Sequence, residues 1–259
     1  MTESAESRNK TLLRVIGLMD LTTLEGTDTD ERVAALCSKA IRIQEIAGIG
    51  PAAVCVYPTF VKTAAEQLEG SGINVASVAG AFPSGQSPLH LRVLEVEYAV
   101  SNGADEIDMV ISRGRFLNDD FEFVSDEIRQ IKRACGKAHL KVILETGELG
   151  TIERIKHASQ LAIMAGADFI KTSTGKIQPA ATPEAMIAML EVIKEVFDST
   201  GKKIGIKPAG GISNPDQALQ YYQMVEQVLG QEWLNPHLFR IGASRLADGI
   251  LAELNLSLK

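Results

Sequence analysis

The sequence predicts an α/β chain that closes into a single-domain (β/α)8 TIM barrel, on three observations. Apolar, β-rich runs and helical patterns alternate from end to end. Eight such strand–helix units fit within 259 residues, about the length this architecture takes. No linker or low-complexity segment divides them. The competing architecture, a doubly wound open sheet, calls for a GxGxxG after the first strand, and none stands there.

In order, the chain opens with MTESAESRNK, polar and without a signal-peptide core. Residues 1–11 are therefore expected to form a loose tail and residues 12–259 the barrel. The first strand is expected over residues 15–21, with Asp20 near its end. Thr27-Asp28-Thr29-Asp30 supplies an N-cap for a helix through Ile43. The second strand covers 52–57 and is closed by Pro58, with a helix over 59–68. The third covers 74–79, followed by the Phe82-Pro83-Ser84-Gly85 loop and a helix over 89–101. Strand four spans 106–111 and its helix 121–135; strand five spans 140–144 and its helix 151–165. Strand six spans 169–172, and Thr182-Pro183-Glu184 then opens a helix with threonine as cap and proline in the first turn. Strand seven spans 203–207, with Asn214 capping a helix to residue 229. Strand eight spans 238–241, ahead of a last helix over 246–254.

Bulk properties exclude several classes. A net charge of −7 leaves no basic excess to neutralise nucleic-acid phosphates, although a local cationic pocket can still take a small anion. No apolar run reaches the ~18 residues of a membrane span. Cys37, Cys55 and Cys135 show no CxxC spacing, which suits a reducing, cytoplasmic setting and gives no metal signature.

In such a barrel the chemistry collects where strands end at their C-termini. Asp20, Cys55, Tyr57, Asp108, Lys141, Glu145, Lys171 and Lys207 all lie in or just after expected strands. A charge inside a buried strand is costly unless paired or neutralised. Strands six and seven are expected neighbours, so Lys171 and Lys207 meet if both point inward. Two ammonium groups about 4 Å apart repel by roughly 4 kcal/mol at an effective dielectric near 20. That is enough to bring one amine from about 10.4 toward the physiological range, where it can attack a carbonyl. The alternative pairs each lysine with a carboxylate as a structural ion pair. Asp108 reads as a proton shuttle or as a counter-ion to either lysine, and the two roles are compatible. A second cluster concerns an anion. Pro208-Ala209-Gly210-Gly211 and Gly242-Ala243-Ser244 follow strands seven and eight, where phosphate sites form in such barrels. Gly175-Lys176, after strand six, adds an amide and a cation.

Six stretches carry a resemblance: Leu18-Met19-Asp20-Leu21-Thr22-Thr23-Leu24, Val54-Cys55-Val56-Tyr57-Pro58, Gly103-Ala104-Asp105-Glu106-Ile107-Asp108, Lys141-Val142-Ile143-Leu144-Glu145-Thr146-Gly147, Phe169 to Lys176, and Lys207-Pro208-Ala209-Gly210-Gly211. In order and from about residue 12 to 250, the chain resembles the deoxyribose-phosphate aldolases. The resemblance implies a class I, metal-independent aldolase without a cofactor. Its small-molecule partners would be a phosphorylated sugar, 2-deoxy-D-ribose 5-phosphate, and the products D-glyceraldehyde 3-phosphate and acetaldehyde, and it would be a possible homo-oligomer. It makes Lys171 the Schiff-base lysine, Lys207 its tuning lysine and Asp108 the proton donor and acceptor. Lys176, Gly175, Gly210, Gly211 and Ser244 would hold the phosphate, while Asp20, Cys55, Thr172 and Lys141 would line the sugar pocket. Two departures stand out: Arg245 replaces a second serine of some relatives, and the stretch from Leu254 to Lys259 holds no tyrosine like the one some relatives use in proton transfer. Rival readings are a different Schiff-base aldolase and a phosphosugar-binding barrel without catalysis; reductive trapping separates the second from any enzyme.

Overall fold

The computed structural model describes residues 5–258. Its inner ring consists of β1 (Met19–Thr22), β2 (Ala53–Val56), β3 (Asn74–Ala79), β4 (Glu106–Val110), β5 (His139–Ile143), β6 (Phe169–Lys171), β7 (Gly205–Lys207) and β8 (Ile241–Ala243). Around it lie α1 (Ala5–Ile16), α2 (Asp30–Ala47), α3 (Val61–Leu68), α4 (Leu89–Ser101), α5 (Arg113–Leu117), α6 (Phe121–Cys135), α7 (Thr146–Leu149), α8 (Ile152–Met164), α9 (Pro183–Thr200), α10 (Pro215–Leu229) and α11 (Leu246–Glu253). The strands are parallel and run in the order 7-6-5-4-3-2-1-8. Bridges from Ile206 to Phe239 and from Ala209 to Gly242 join the two ends, so the sheet closes into a (β/α)8 barrel in a single domain.

The caps explain where the helices start. Thr29, Asp120, Thr151, Thr182 and Asn214 each accept a hydrogen bond from the backbone N–H three residues on. Gly48 and Gly201 end α2 and α9 in the left-handed conformation. Between strands and helices runs one continuous apolar layer that includes Leu21, Val54, Val56, Ile107, Val142, Ile170 and Ile206. Inside the ring the two halves differ. Cys55, Ala53, Ala76 and Val78 make a small apolar cluster on the β2–β3 side, while β4 to β7 present Glu106, Asp108, Lys141, Lys171 and Lys207 to the other. Gly205 is needed there, because any Cβ would collide with the Phe169 ring that crosses in front of it.

Three expectations are corrected. The loose tail over residues 1–11 does not hold from Ala5 onward, since α1 begins there; residues 1–4, and Lys259 at the other end, lie outside the described residues. Leu12, Val15 and Ile16 are fully buried at helical spacing, so the run read as the start of strand one is the inner face of α1. Strand eight begins at Ile241 rather than 238, because the preceding stretch forms only bridge hydrogen bonds to β7. The short helices α5 and α7 were not expected: each spans about one turn, too little for a period to register.

Candidate active site

Register across the ring brings the sequence-selected groups together. Asp108 pairs in register with Lys141, and Lys171 with Lys207. Side chains alternate across a strand, so all four project inward. Lys171 Nζ and Lys207 Nζ each donate to Asp108 Oδ2 at 2.7 Å. Two nitrogens on one oxygen lie at most about twice that distance apart. Lys141 Nζ donates to Asp108 Oδ1 at 2.9 Å, pairs with Glu106, and lies 3.6 Å from Asp20. Lys207 also donates to Asp20.

Two residues complete the network and were missed as site residues. Arg240 donates from Nη1 to Asp20 Oδ1 at 2.7 Å and from Nη2 to Glu106 Oε1 at 2.6 Å. Glu106 also accepts from Asn74 Nδ2 at 2.8 Å. A sequence signal existed: Arg240 is a cation between two apolar residues, Phe239 and Ile241, at the start of the last strand.

Among the described residues, Lys141, Lys171, Lys207 and Arg240 pair with Asp20, Glu106 and Asp108, so within this network one cation is in excess. Lys171 is the one that can give up its proton most easily, because it touches a single carboxylate whereas Lys207 touches two. Burial pushes the Lys171 amine below its ordinary value; Asp108 opposes that shift and Lys207 adds to it. Burial also acts to lower Lys207, but Asp108 and Asp20 overcome it and hold its proton more firmly than usual. The expected activation by like-charge repulsion is therefore corrected in its weighting: burial is the larger cause and the neighbouring cation the smaller. Burial would raise Asp108, yet Lys141, Lys171 and Lys207 outweigh it and keep the carboxyl well below the usual range. Asp108 is thus an ionised acceptor at neutral pH.

A cavity of about 340 Å³ opens above this network. Among the sequence-selected residues its wall includes Lys171, Gly175, Lys176, Gly210, Gly211 and Ser244, and it adds Thr22, Thr174 and Arg245. Asp20, Cys55, Thr172 and Lys141, expected to line a pocket, are fully buried and are not part of that wall. Cys55 belongs to the apolar half of the interior, and burial pushes its thiol up to about 11. Thr172 is a clamp: its Oγ1 accepts from Ala209 N–H at 3.0 Å, tying the loop after β6 to the loop after β7. The clamp sets Gly175 against Gly210, both at positive φ, and a Cβ on Gly210 would sit 3.0 Å from Gly175 Cα. Glu145, buried, accepts from Thr174 N–H at 3.1 Å and from Thr174 Oγ1 at 2.5 Å, bracing the same loop from β5. Lys176 Nζ reaches Glu25 at 3.2 Å across the mouth. The arrangement offers an amine whose proton burial loosens, an ionised carboxylate beside it, and a cationic, glycine-lined wall on the same cavity.

Comparisons with known proteins bear on the chain as a whole. The family model described as DeoC/LacD family aldolase matches residues 14–229. A deoxyribose-phosphate aldolase from Homo sapiens is 49% identical over 255 residues, covering 94% of this chain and 80% of the human protein. The Mus musculus protein of that name is 48% identical, with the same two coverages of 94% and 80%. The solved structure of the deoxyribose phosphate aldolase from Aeropyrum pernix, described as tetrameric, has a TM-score of 0.74 at 24% identity and covers 98% of this chain and 99% of its own, which supports the fold. With an amine-bearing barrel interior and a family match over most of its length, the chain belongs to the DeoC/LacD family of aldolases.

Proposed function

We propose that this aldolase reversibly cleaves 2-deoxy-D-ribose 5-phosphate into D-glyceraldehyde 3-phosphate and acetaldehyde, through a Schiff base on Lys171. One observation carries the reading: of the three interior lysines, Lys171 alone reaches the cavity, and it is the one whose proton is loosened. The names of the human and mouse relatives supply the substrate.

The neutral Nζ attacks C1 of the open-chain sugar, and loss of water gives an iminium. Asp108, directly or through water, takes the proton of the C3 hydroxyl, and the C2–C3 bond breaks with its electron pair moving toward the iminium. The broken bond is C2–C3 because acetaldehyde retains only C1 and C2. The enamine left on Lys171 is protonated at C2, and water releases acetaldehyde and restores the amine. Lys207, charged and fixed between Asp20 and Asp108, favours loss of the Lys171 proton. Lys176 and Arg245, with the backbone amides near Gly175, Gly210, Gly211 and Ser244, take the phosphate at the rim. Gly211 and Ser244 stand in the loops after β7 and β8.

Assembly into a homo-oligomer is part of the proposal, on the tetrameric description of the Aeropyrum pernix relative; light scattering that returns a monomer mass would refute it. A reducing, cytoplasmic compartment fits three buried free cysteines, Cys37, Cys55 and Cys135. No described helix is long and apolar enough to cross a membrane. The central test is mass spectrometry after borohydride reduction with acetaldehyde. The expected adduct maps to Lys171, and an adduct elsewhere, or none, overturns the mechanism.

A further inference from the structure

We propose that Arg240 is a positioning residue of the aldol reaction: by occupying Asp20 and Glu106 from the N-terminal end of the barrel interior, it leaves Lys171 free to work as an unprotonated amine. The inference rests on the Schiff-base reading of Lys171. Arg240 is 2% exposed, and its Nε donates to Pro236 O, which fixes the guanidinium at the barrel floor. From there it makes three hydrogen bonds upward: one to Asp20, at 2.7 Å, and two to Glu106, at 2.6 and 3.0 Å. The guanidinium carbon stands 5.9 Å from the centre of the Phe169 ring, two residues before Lys171 on the same strand face.

These groups are almost closed to water, Lys171 touching it only through the cavity, so their charges must balance among themselves. Among the described residues, the buried charges around Lys171 can be named by strand, while Lys176, Arg245 and Glu25 stand on the wall of the cavity it faces. Asp20 comes from β1, Glu106 and Asp108 from β4, Lys141 from β5, and Lys207 from β7, while Arg240 immediately precedes β8. Cys55 from β2 is a neutral thiol, and β3 presents Ala76 and Val78. With Arg240 in place, three carboxylates are matched by Arg240, Lys141 and Lys207, and a proton on Lys171 is surplus. Without Arg240 only Lys141 and Lys207 remain against three carboxylates, and the missing charge is restored most readily by protonating Lys171. A buried charge left unmatched is costly enough to drive such a transfer. Removing Glu106 acts in the opposite direction, because the surplus of positive charge grows and the Lys171 proton is expelled more strongly.

The test is the pH profile of kcat/KM for Arg240→Met, Glu106→Gln, the double variant and Arg240→Lys. The rising limb reports the amine in the free enzyme. Arg240→Met should move it to higher pH by roughly one unit or more, about tenfold less free amine at a fixed pH below the limb. Glu106→Gln should move it to lower pH. The double variant restores the balance and should return it near the wild-type position, as should Arg240→Lys, which keeps the charge. A packing role alone lowers kcat and leaves the limb in place, so an unmoved limb in these variants overturns the proposal. Should Arg240→Met not fold, the downward shift in Glu106→Gln decides the matter, and its absence refutes the charge balance. Borohydride trapping with acetaldehyde, run on the same samples, separates the two readings. A wild-type enzyme with no adduct at Lys171 sinks the Schiff-base function; an adduct with unmoved limbs sinks only the role of Arg240.

Discussion

Two of the places where this molecule buries charge are built differently. Between α4 and α6, outside the ring, Arg92 donates to Gly80 O at 2.9 Å, Val110 O at 2.7 Å, Ser112 Oγ at 2.9 Å and Glu127 Oε2 at 2.6 Å. Glu127 in turn accepts from Ser112 N–H at 2.7 Å. One cation meets one anion, both almost fully buried, and both carry a full set of partners. Inside the ring the cations outnumber the carboxylates, they share oxygens, and one of them faces a cavity. A matched, closed pair holds a loop to a helix. An unmatched set beside a cavity holds a proton loosely, which is a condition for chemistry.

Breaking the inner set at its loose member should have the largest effect. Lys171→Met is expected to abolish both turnover and borohydride trapping, and trapping that persists in the variant would refute the assignment. The same change leaves three cations against three carboxylates, so the melting temperature should hold or rise, as it often does when a functional strain is removed. The sign follows from linkage. The folded-state pKa of Lys171 lies below its unfolded value, so the folded state gains stability as pH rises from the former to the latter. Subtracting the Lys171→Met stability curve from the wild-type curve should expose that upward slope; a flat or downward difference would contradict it.

Breaking the outer pair should act on stability instead. Arg92→Leu strands Glu127 without its cation and should cost about 3–5 kcal/mol in denaturant unfolding, while the rising limb of kcat/KM stays where it is. A displaced limb would mean that the two charge sites communicate, and the contrast between them would fail.

A subtler change removes the second lysine. Lys207→Leu leaves Lys171 sole donor of the pair to Asp108 Oδ2 and frees Asp20 of one cation. The Lys171 amine should bind its proton more tightly and the rising limb should move to higher pH; a limb that stays put would remove Lys207 from the tuning role. Smallest of all should be Arg245→Ser at the rim, with KM for the phosphorylated sugar rising up to about fivefold, the scale of an exposed ion pair. Unphosphorylated 2-deoxyribose should show no such rise, and an equal rise for both would take Arg245 off the phosphate.

Sequence reasoning reached Lys171, Lys207 and Asp108 because charged residues inside apolar strands violate the burial rule visibly. It missed the roles of Arg240 and Glu106. Glu106 opens a strand, where a polar residue is ordinary. Arg240 carried the same signal, a cation between Phe239 and Ile241 in the expected strand, but its partners Asp20 and Glu106 come from strands far away in the sequence, and only the closed ring brings them together. The weighting of the Lys171 shift was not legible either, since two lysines on neighbouring strands suggest repulsion, while the shared Asp108 between them comes from a third strand. Helix ends were readable wherever a side chain caps them, as at Thr29, Thr182 and Asn214. The first helix was not, because its outward face is so polar that the inward Val15 and Ile16 passed for the start of a strand.

That first helix has a mechanical consequence. The barrel's seam lies between β7 and β8, which share two isolated bridges instead of a ladder. α1 straddles the outside of that seam: Arg8 grips Asp216 on α10 at 2.6 Å and Glu253 on α11 at 2.5 Å. It works as a belt buckle on the weakest joint of the cylinder, and Lys207 is riveted to one side of that joint. Trimming the first eleven residues as though they were packaging would remove both of those ties across the joint.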